Sequence, residues 1–416
     1  MKIYSKWAMI LLASVCCFIG CSERERTNPF DPLSDLSMNR TVDLELTSTE
    51  TEIIATWNPL YKFDFETIHL DKYKMDDSLL ATYIFTKFAT KFRDSNIEYD
   101  KSYRYLLKLR LSGYETPEIA SDVIVPGPGY LWVLDSYLNY VTLLSYDGEH
   151  IYRTFENLMF PYLMSEVDDT TMVVVDYIYN GFIFLTPHSE PVRLQTDLGF
   201  VRDFVYSSET NNIYTYEMPN KIRVYDHLGN ELPGFELNSS GVEWMDMDDA
   251  NSTLWFGSDS NGVCTLNLTN GSVSKVSNDR TETGMFTDHK GYCVVCSRAE
   301  ESVKIYNRQR ELEFSTSIEG PISLAYDRVR DYLWIGSDGD LALKRISLSS
   351  FHELSIDYEH IDYPANLAVN ERRGELFVAD PSLNKVLHFD ENGSKLGELE
   401  SDVMKYPSRL KFSIIQ

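Results

Sequence analysis

The stretch GELFVADPSLNKVLHFDENG, residues 374–393, holds two short strand-like runs, Leu376–Ala379 and Val386–Phe389. Each ends at an Asp and a turn, Asp380-Pro381 and then Asp390-Glu391-Asn392-Gly393. Such apolar runs closed by Asp, Pro, Asn and Gly read as strands and tight turns. Relatives of LFVAD (376–380) recur upstream as LWVLD (131–135), MVVVD (172–176), IYTYE (213–217), LWFGS (254–258), YCVVC (292–296) and LWIGS (333–337). Their start positions differ by 41, 41, 41, 38, 41 and 43 residues, so the chain repeats one supersecondary unit.

Each unit carries a second strand about ten residues on, as in VTLLSYDG (141–148) and IRVYDHLG (222–229). A third follows most of these, such as LEFSTS (312–317), and another precedes the apolar run, as in PISLAYDRVRD (321–331) and PANLAVNERRG (364–374). Four antiparallel strands at a period near forty predict the blade of a β-propeller. The first unit starts directly after PGPG (126–129) and lacks its leading strand. PSRLKFSII (407–415) matches the PANLAVN pattern and is expected to supply it, closing the ring and removing two sheet edges. ASDVIVPG (120–127) is the other candidate. The expected fold is all-β, with a seven-bladed propeller over residues 130–416 and six blades as the alternative count.

The Pro, strand, Gly, LFVAD, KVLHFD pattern of residues 364–399 resembles the NHL repeat, and the whole tandem resembles NHL and YVTN-type propellers. Residues 41–126 lie outside the period. VDLELTS (42–48), TEIIATWNP (51–59), TIHLDKYKM (67–75), YRYLLKLRL (103–111) and EIASDVIVPG (118–127) are strand-like. With Trp57 late in the second run and Tyr103 and Tyr105 opening the penultimate one, the segment resembles a fibronectin type III sandwich. That resemblance implies a strand-opening Tyr bonded back to the preceding loop, a Trp between the sheets, and a spacing or presenting role.

The N-terminus carries Lys2 and Lys6, then an apolar run Ala8–Gly20 that ends at Cys21. The run is too short to span a bilayer and reads as a secretory signal. FIGCS resembles a bacterial lipobox, which implies cleavage after residue 20 and lipidation of Cys21. Ser22, where Asp would stand for retention, is similar to lipoproteins sorted to the outer membrane. Residues 21–40, with Pro29 and Pro32, form a polar linker. The expected location is therefore the cell envelope, with the membrane reached through the lipid alone. A formal charge of −26 argues against nucleic acid.

Cys293-Val294-Val295-Cys296 spells CxxC. In a strand, positions i and i+3 point to opposite faces, so buried structural thiols are expected rather than a redox pair. The eight His are scattered, and no HExxH, P-loop, dinucleotide glycine motif or GxSxG is present. The repeat supplies two columns of candidates. Residues ending the LWVLD-like runs are Asp135, Asp176, Glu217, Ser258, Cys296, Ser337 and Asp380. Their carboxylates, Asp135, Asp176 and Asp380 above all, could hold calcium, or could cap the turns that follow. The innermost strands give Leu163, Asp203, Trp244, Gly284, Ser323, Asn366 and Arg409. Asp203, Asn366 and Arg409 could converge on a polar ligand with Trp244 as a stacking wall, or Asp203 and Arg409 could pair across water. No cofactor is expected. The leading function is a non-catalytic binding or scaffolding module for an envelope protein or glycan. The alternative, implied by similarity to gluconolactonase-type propellers, is a metal-dependent hydrolase or lyase with its site in the channel.

Overall fold

The computed structural model describes residues 42–238, 241–258, 261–287, 290–357 and 361–415. The signal segment and Cys21 lie outside them. The described residues are all-β apart from one 3-10 turn, Asp249–Asn251, and no helix among them is long and apolar enough to cross a membrane. They form two compact units: residues 42–47 with 52–125, and residues 48–51 with those from 126 onward.

The first unit has two sheets. One orders Leu44–Ser48, Ile53–Trp57 and Lys91–Asp94. The other orders Leu79–Thr86, Thr67–Lys74, Tyr103–Leu111 and Tyr114–Glu115, with Ile119–Ala120 also on Tyr103–Leu111. Trp57, Ile68, Leu70, Tyr105 and Leu107 fill the core between them. The indole Nε1 of Trp57 donates to the Ala89 carbonyl at 2.8 Å. The Tyr103 hydroxyl accepts from the Glu98 amide at 2.9 Å, tying the strand to its preceding loop.

The second unit holds seven four-stranded antiparallel sheets among the described residues. Six are consecutive meanders. In the remaining one, Pro407–Ile414 pairs with Gly129–Asp135, from Pro407 opposite Asp135 to Ile414 opposite Gly129. The leading strands are Pro161–Asp168, Val201–Ser207, Val242–Asp248, Thr283–Thr287, Pro321–Asp327, Asn366–Asn370 and Pro407–Ile414. Each packs beside the next, and Pro407–Ile414 touches both Asn366–Asn370 and Pro161–Asp168, so the cycle closes. This architecture is compatible with a β-propeller.

The burial pattern explains the sequence period. The second strand of each sheet is covered on both faces by neighbouring sheets, so runs such as Gly129–Asp135 and Glu375–Asp380 are buried throughout. The last strand of each sheet is an edge, and Val192–Gln195 and Glu231–Glu236 are largely exposed and have no continuous apolar run. The turn between second and third strands takes a left-handed residue, Asn139, Asn180 or Asn384 for example, which Asn tolerates well. Cys264, Cys293 and Cys296 are free and buried, and burial pushes all three thiols up.

Candidate functional site

At one end of the ring, the residues closing the second strands act as clasps. Asp135 Oδ1 accepts from the amides of Tyr137 and Leu138, and its Oδ2 accepts from Tyr406 at 2.6 Å. Asp176 accepts from Met159, Phe160 and Tyr179, and Asp380 from Asp362, Tyr363, Ser382 and Leu383. Each carboxylate is buried and joins its own turn to the connection entering a leading strand. Their oxygens are thus engaged by backbone N–H groups, the turn-capping alternative of the two chemistries. Among the described residues no cluster of three or more His, Cys, Asp or Glu could hold a metal ion.

One column needs correction in the fifth sheet. Thr283 pairs with Cys296, as Ser323 pairs with Gly336 and Asn366 with Ala379. The closing residue there is consequently Ser297, whose Oγ accepts from Glu300 N at 3.1 Å as Ser337 Oγ accepts from Asp340 N at 2.9 Å. The innermost position is Thr283 rather than Gly284. The relative of LWIGS is CVVCS (293–297), which also evens the 38-residue step to 39.

The leading strands line a central channel with a cavity of about 250 Å³. Asp203, Trp244, Asn366 and Arg409 all line it, together with Asp246 and Lys411. Much of the lining stitches neighbouring sheets. Asp203 Oδ2 accepts from Met245 N at 2.7 Å, Asp246 Oδ2 from Phe286 N at 2.8 Å, and Asn366 Oδ1 from Leu410 N at 2.7 Å. Each acceptor sits on one leading strand and each donor on the next. Trp244 is only 4% exposed and wedges between sheets, its Nε1 donating to Thr281 Oγ1 at 2.9 Å. A Cβ at Gly257 or Gly284 would lie 2.1 Å or 2.4 Å from the indole, so both positions must be glycine for it to fit. Trp244 is therefore a packing residue more than an open stacking wall.

The channel electrostatics follow from this enclosure. Burial pushes the Asp203 carboxyl up to about 6, with the Met245 amide and the Arg409 charge pulling the other way. Burial also raises Asp246, against the Phe286 and Met247 amides and Lys411. Glu166, further along Pro161–Asp168, is pushed up to about 7 by burial, with Lys411 again opposing.

The clasps also create a surface. Because Asp176 holds the amides of Met159 and Phe160, the residues beside it project from the rim. Phe160, Tyr177 and Phe200 are exposed by 46%, 50% and 46%. With Tyr162 they form a chain of ring contacts at 5.9–6.4 Å. Tyr363 and Tyr406 occupy the same place, directly before Pro364 and Pro407, as Phe160 and Phe200 do before Pro161 and Val201. Four sheets that are consecutive around the cycle thus carry an aromatic residue at the entry to their leading strand. The signal was present in the sequence as an aromatic residue just ahead of each of these leading strands.

No family model matches the chain, and no curated protein matches it. Among solved structures, it is similar to a functionally unknown protein from Desulfotomaculum acetoxidans, with a TM-score of 0.57 at 15% identity over 69% of this chain and 99% of that one. A chain of a nidogen/laminin complex aligns with a TM-score of 0.47 at 9% identity, over 69% of this chain and 99% of that one. At such identities the likeness to the first shows the fold alone.

Proposed function

We propose that the chain is an envelope lipoprotein, anchored through Cys21, whose ring is a seven-bladed β-propeller serving as a non-catalytic binding module. In chain order, the linker and a fibronectin type III-like sandwich lie between anchor and ring. The sandwich reading draws on its strand order, the buried Trp57, and the Tyr103 hydroxyl bonded five residues back. The propeller reading draws on the closed cycle of leading strands.

The observation that carries the binding reading is the aromatic arc at the clasped rim. Exposed Tyr and Phe that touch one another make a large apolar contact surface at low entropic cost, suited to a pyranose face or an apolar protein patch of the envelope. The clasp carboxylates Asp135, Asp176 and Asp380, by contrast, are engaged in holding their turns and connections together.

The test compares the chain from residue 27 with a Phe160→Ser, Tyr177→Ser, Phe200→Ser triple variant on glycan arrays and on envelope fractions. The expected result is retention of the parent and about a tenfold loss or more in the variant at unchanged melting. Equal retention would overturn the assignment of the rim. Metabolic labelling with palmitate tests the anchor, which the Cys21→Ala variant should lose.

A further inference from the structure

The channel carries a charge pattern that sheet stitching does not require. Asp203 and Arg409 stand at one level, each opposite the residue that precedes a clasp: Tyr216 for Asp203, Leu134 for Arg409. Asp246 and Lys411 stand two residues further along, opposite Trp255 and Trp132. Side chains two apart on a strand share a face, so each level offers one acid and one base. Both bases project from Pro407–Ile414, while the acids come from Val201–Ser207 and Val242–Asp248, two and three places around the cycle.

The opposed charges do not touch. Among the described residues, neither Arg409 nor Lys411 forms an ion pair with a carboxylate, although Arg409 acts electrostatically on Asp203 and Lys411 on Asp246. A guanidinium and an ammonium therefore share a cavity of about 250 Å³ with two carboxylates and form an ion pair with neither. That is below the range of roughly 300–1,000 Å³ for drug-sized ligands, so an occupant must be small.

We propose that this channel is a binding site for a small zwitterion, an α-amino acid or a dipeptide, with its carboxylate on Arg409 and Lys411 and its ammonium toward Asp203 and Asp246. Glu243 and Glu282 also line the cavity, Glu243 paired with Arg202. A simple anion would gain Arg409 and Lys411 but sit in the field of the acids, and a simple cation would gain the acids but meet the two unpaired bases. A solute carrying both charges replaces two long-range attractions with two contacts and satisfies both walls. Arg supplies a fork matched to a carboxylate. The inference goes beyond the rim reading and names a ligand class for the channel, a site separate from the rim.

Calorimetric titration of the chain from residue 27 with glycine, L-alanine and glycylglycine, against acetate and methylammonium, tests it. At least one zwitterion should bind saturably with a Kd of about 1 mM or tighter, and acetate and methylammonium about tenfold more weakly or worse. Arg409→Met and Asp203→Asn should each weaken the zwitterion about tenfold or more, whereas Arg409→Lys should retain part of the affinity. Asp203→Asn is expected to fold at least as stably as the parent, so its loss of binding would not be unfolding. Absence of saturable heat for every zwitterion would overturn the proposal, leaving acid and base paired across water. Acetate binding as tightly as glycine, or variants without effect, would overturn it equally. Rim variants should leave these titrations unchanged, and channel variants should leave envelope retention unchanged, so the two readings fail separately.

Discussion

Replacing Asp203 by Asn should stabilise the protein, and more so as pH rises. The carboxyl is held at about 6 in the fold against an ordinary 3.8, chiefly because burial disfavours its charged form. Between those values the unfolded chain has released the proton while the folded chain keeps it. The unfolded state then binds fewer protons, so folding stability falls as pH rises from about 4 to about 6 and stays lower above that. A displacement of about two pH units corresponds to about 3 kcal/mol at neutral pH, an upper bound where channel water screens the charge. Asparagine is neutral throughout, and its Oδ1 can still accept from the Met245 amide. Urea melts followed by Trp fluorescence should show the variant about 1–3 kcal/mol more stable at about pH 8, with roughly 1 kcal/mol less advantage at about pH 5. A variant less stable than the parent at the higher pH, or an advantage that does not grow with pH, would refute the reasoning.

Other expectations concern the seams. His388 lies buried between Glu149, at 2.8 Å from its Nδ1, and Glu375, at 3.3 Å from its Nε2, and stacks on Phe377. Burial lowers its basicity, but these two carboxylates outweigh that and raise it above the ordinary 6.5. The stability it contributes is therefore complete below 6.5 and lost as pH climbs through the raised folded value. His388→Gln should flatten that part of the pH–stability curve and cost about 1–3 kcal/mol at about pH 6 in urea melts. In the sandwich, Tyr103→Phe removes the acceptor of the Glu98 amide and should cost about 1 kcal/mol by the same assay. The thiols of Cys264, Cys293 and Cys296 should react with Ellman's reagent only at the rate at which their sheets open, and at once in denaturant.

The repeat was legible because the second strand of each sheet is buried on both faces, which forces an unbroken apolar run such as LWVLD or LFVAD. It slipped by one residue in the fifth sheet because Tyr292–Ser297 is apolar at its start and ends on small Ser297, with no carboxylate to mark the clasp. Residues 407–415 could be matched to a leading strand because PSRLKF repeats the Pro and apolar spacing of PANLAV. The channel column reads one position per strand. Asp246 and Lys411 escaped it although the two-residue period of a strand puts them on the same face as Trp244 and Arg409. The structural work of Trp244 was not readable, since it depends on Gly257 and Gly284 meeting around the indole from two different sheets. The rim escaped because Phe160 and Phe200 sit in connections, where no hydrophobic period exists to draw attention to them.

The most direct test of the account is envelope retention of the parent chain beside the Phe160→Ser, Tyr177→Ser, Phe200→Ser variant, with Asp203→Asn as the channel control. The parent and the channel control should be retained alike while the rim variant washes through at unchanged melting. Retention of all three, or loss of the parent itself, would contradict it.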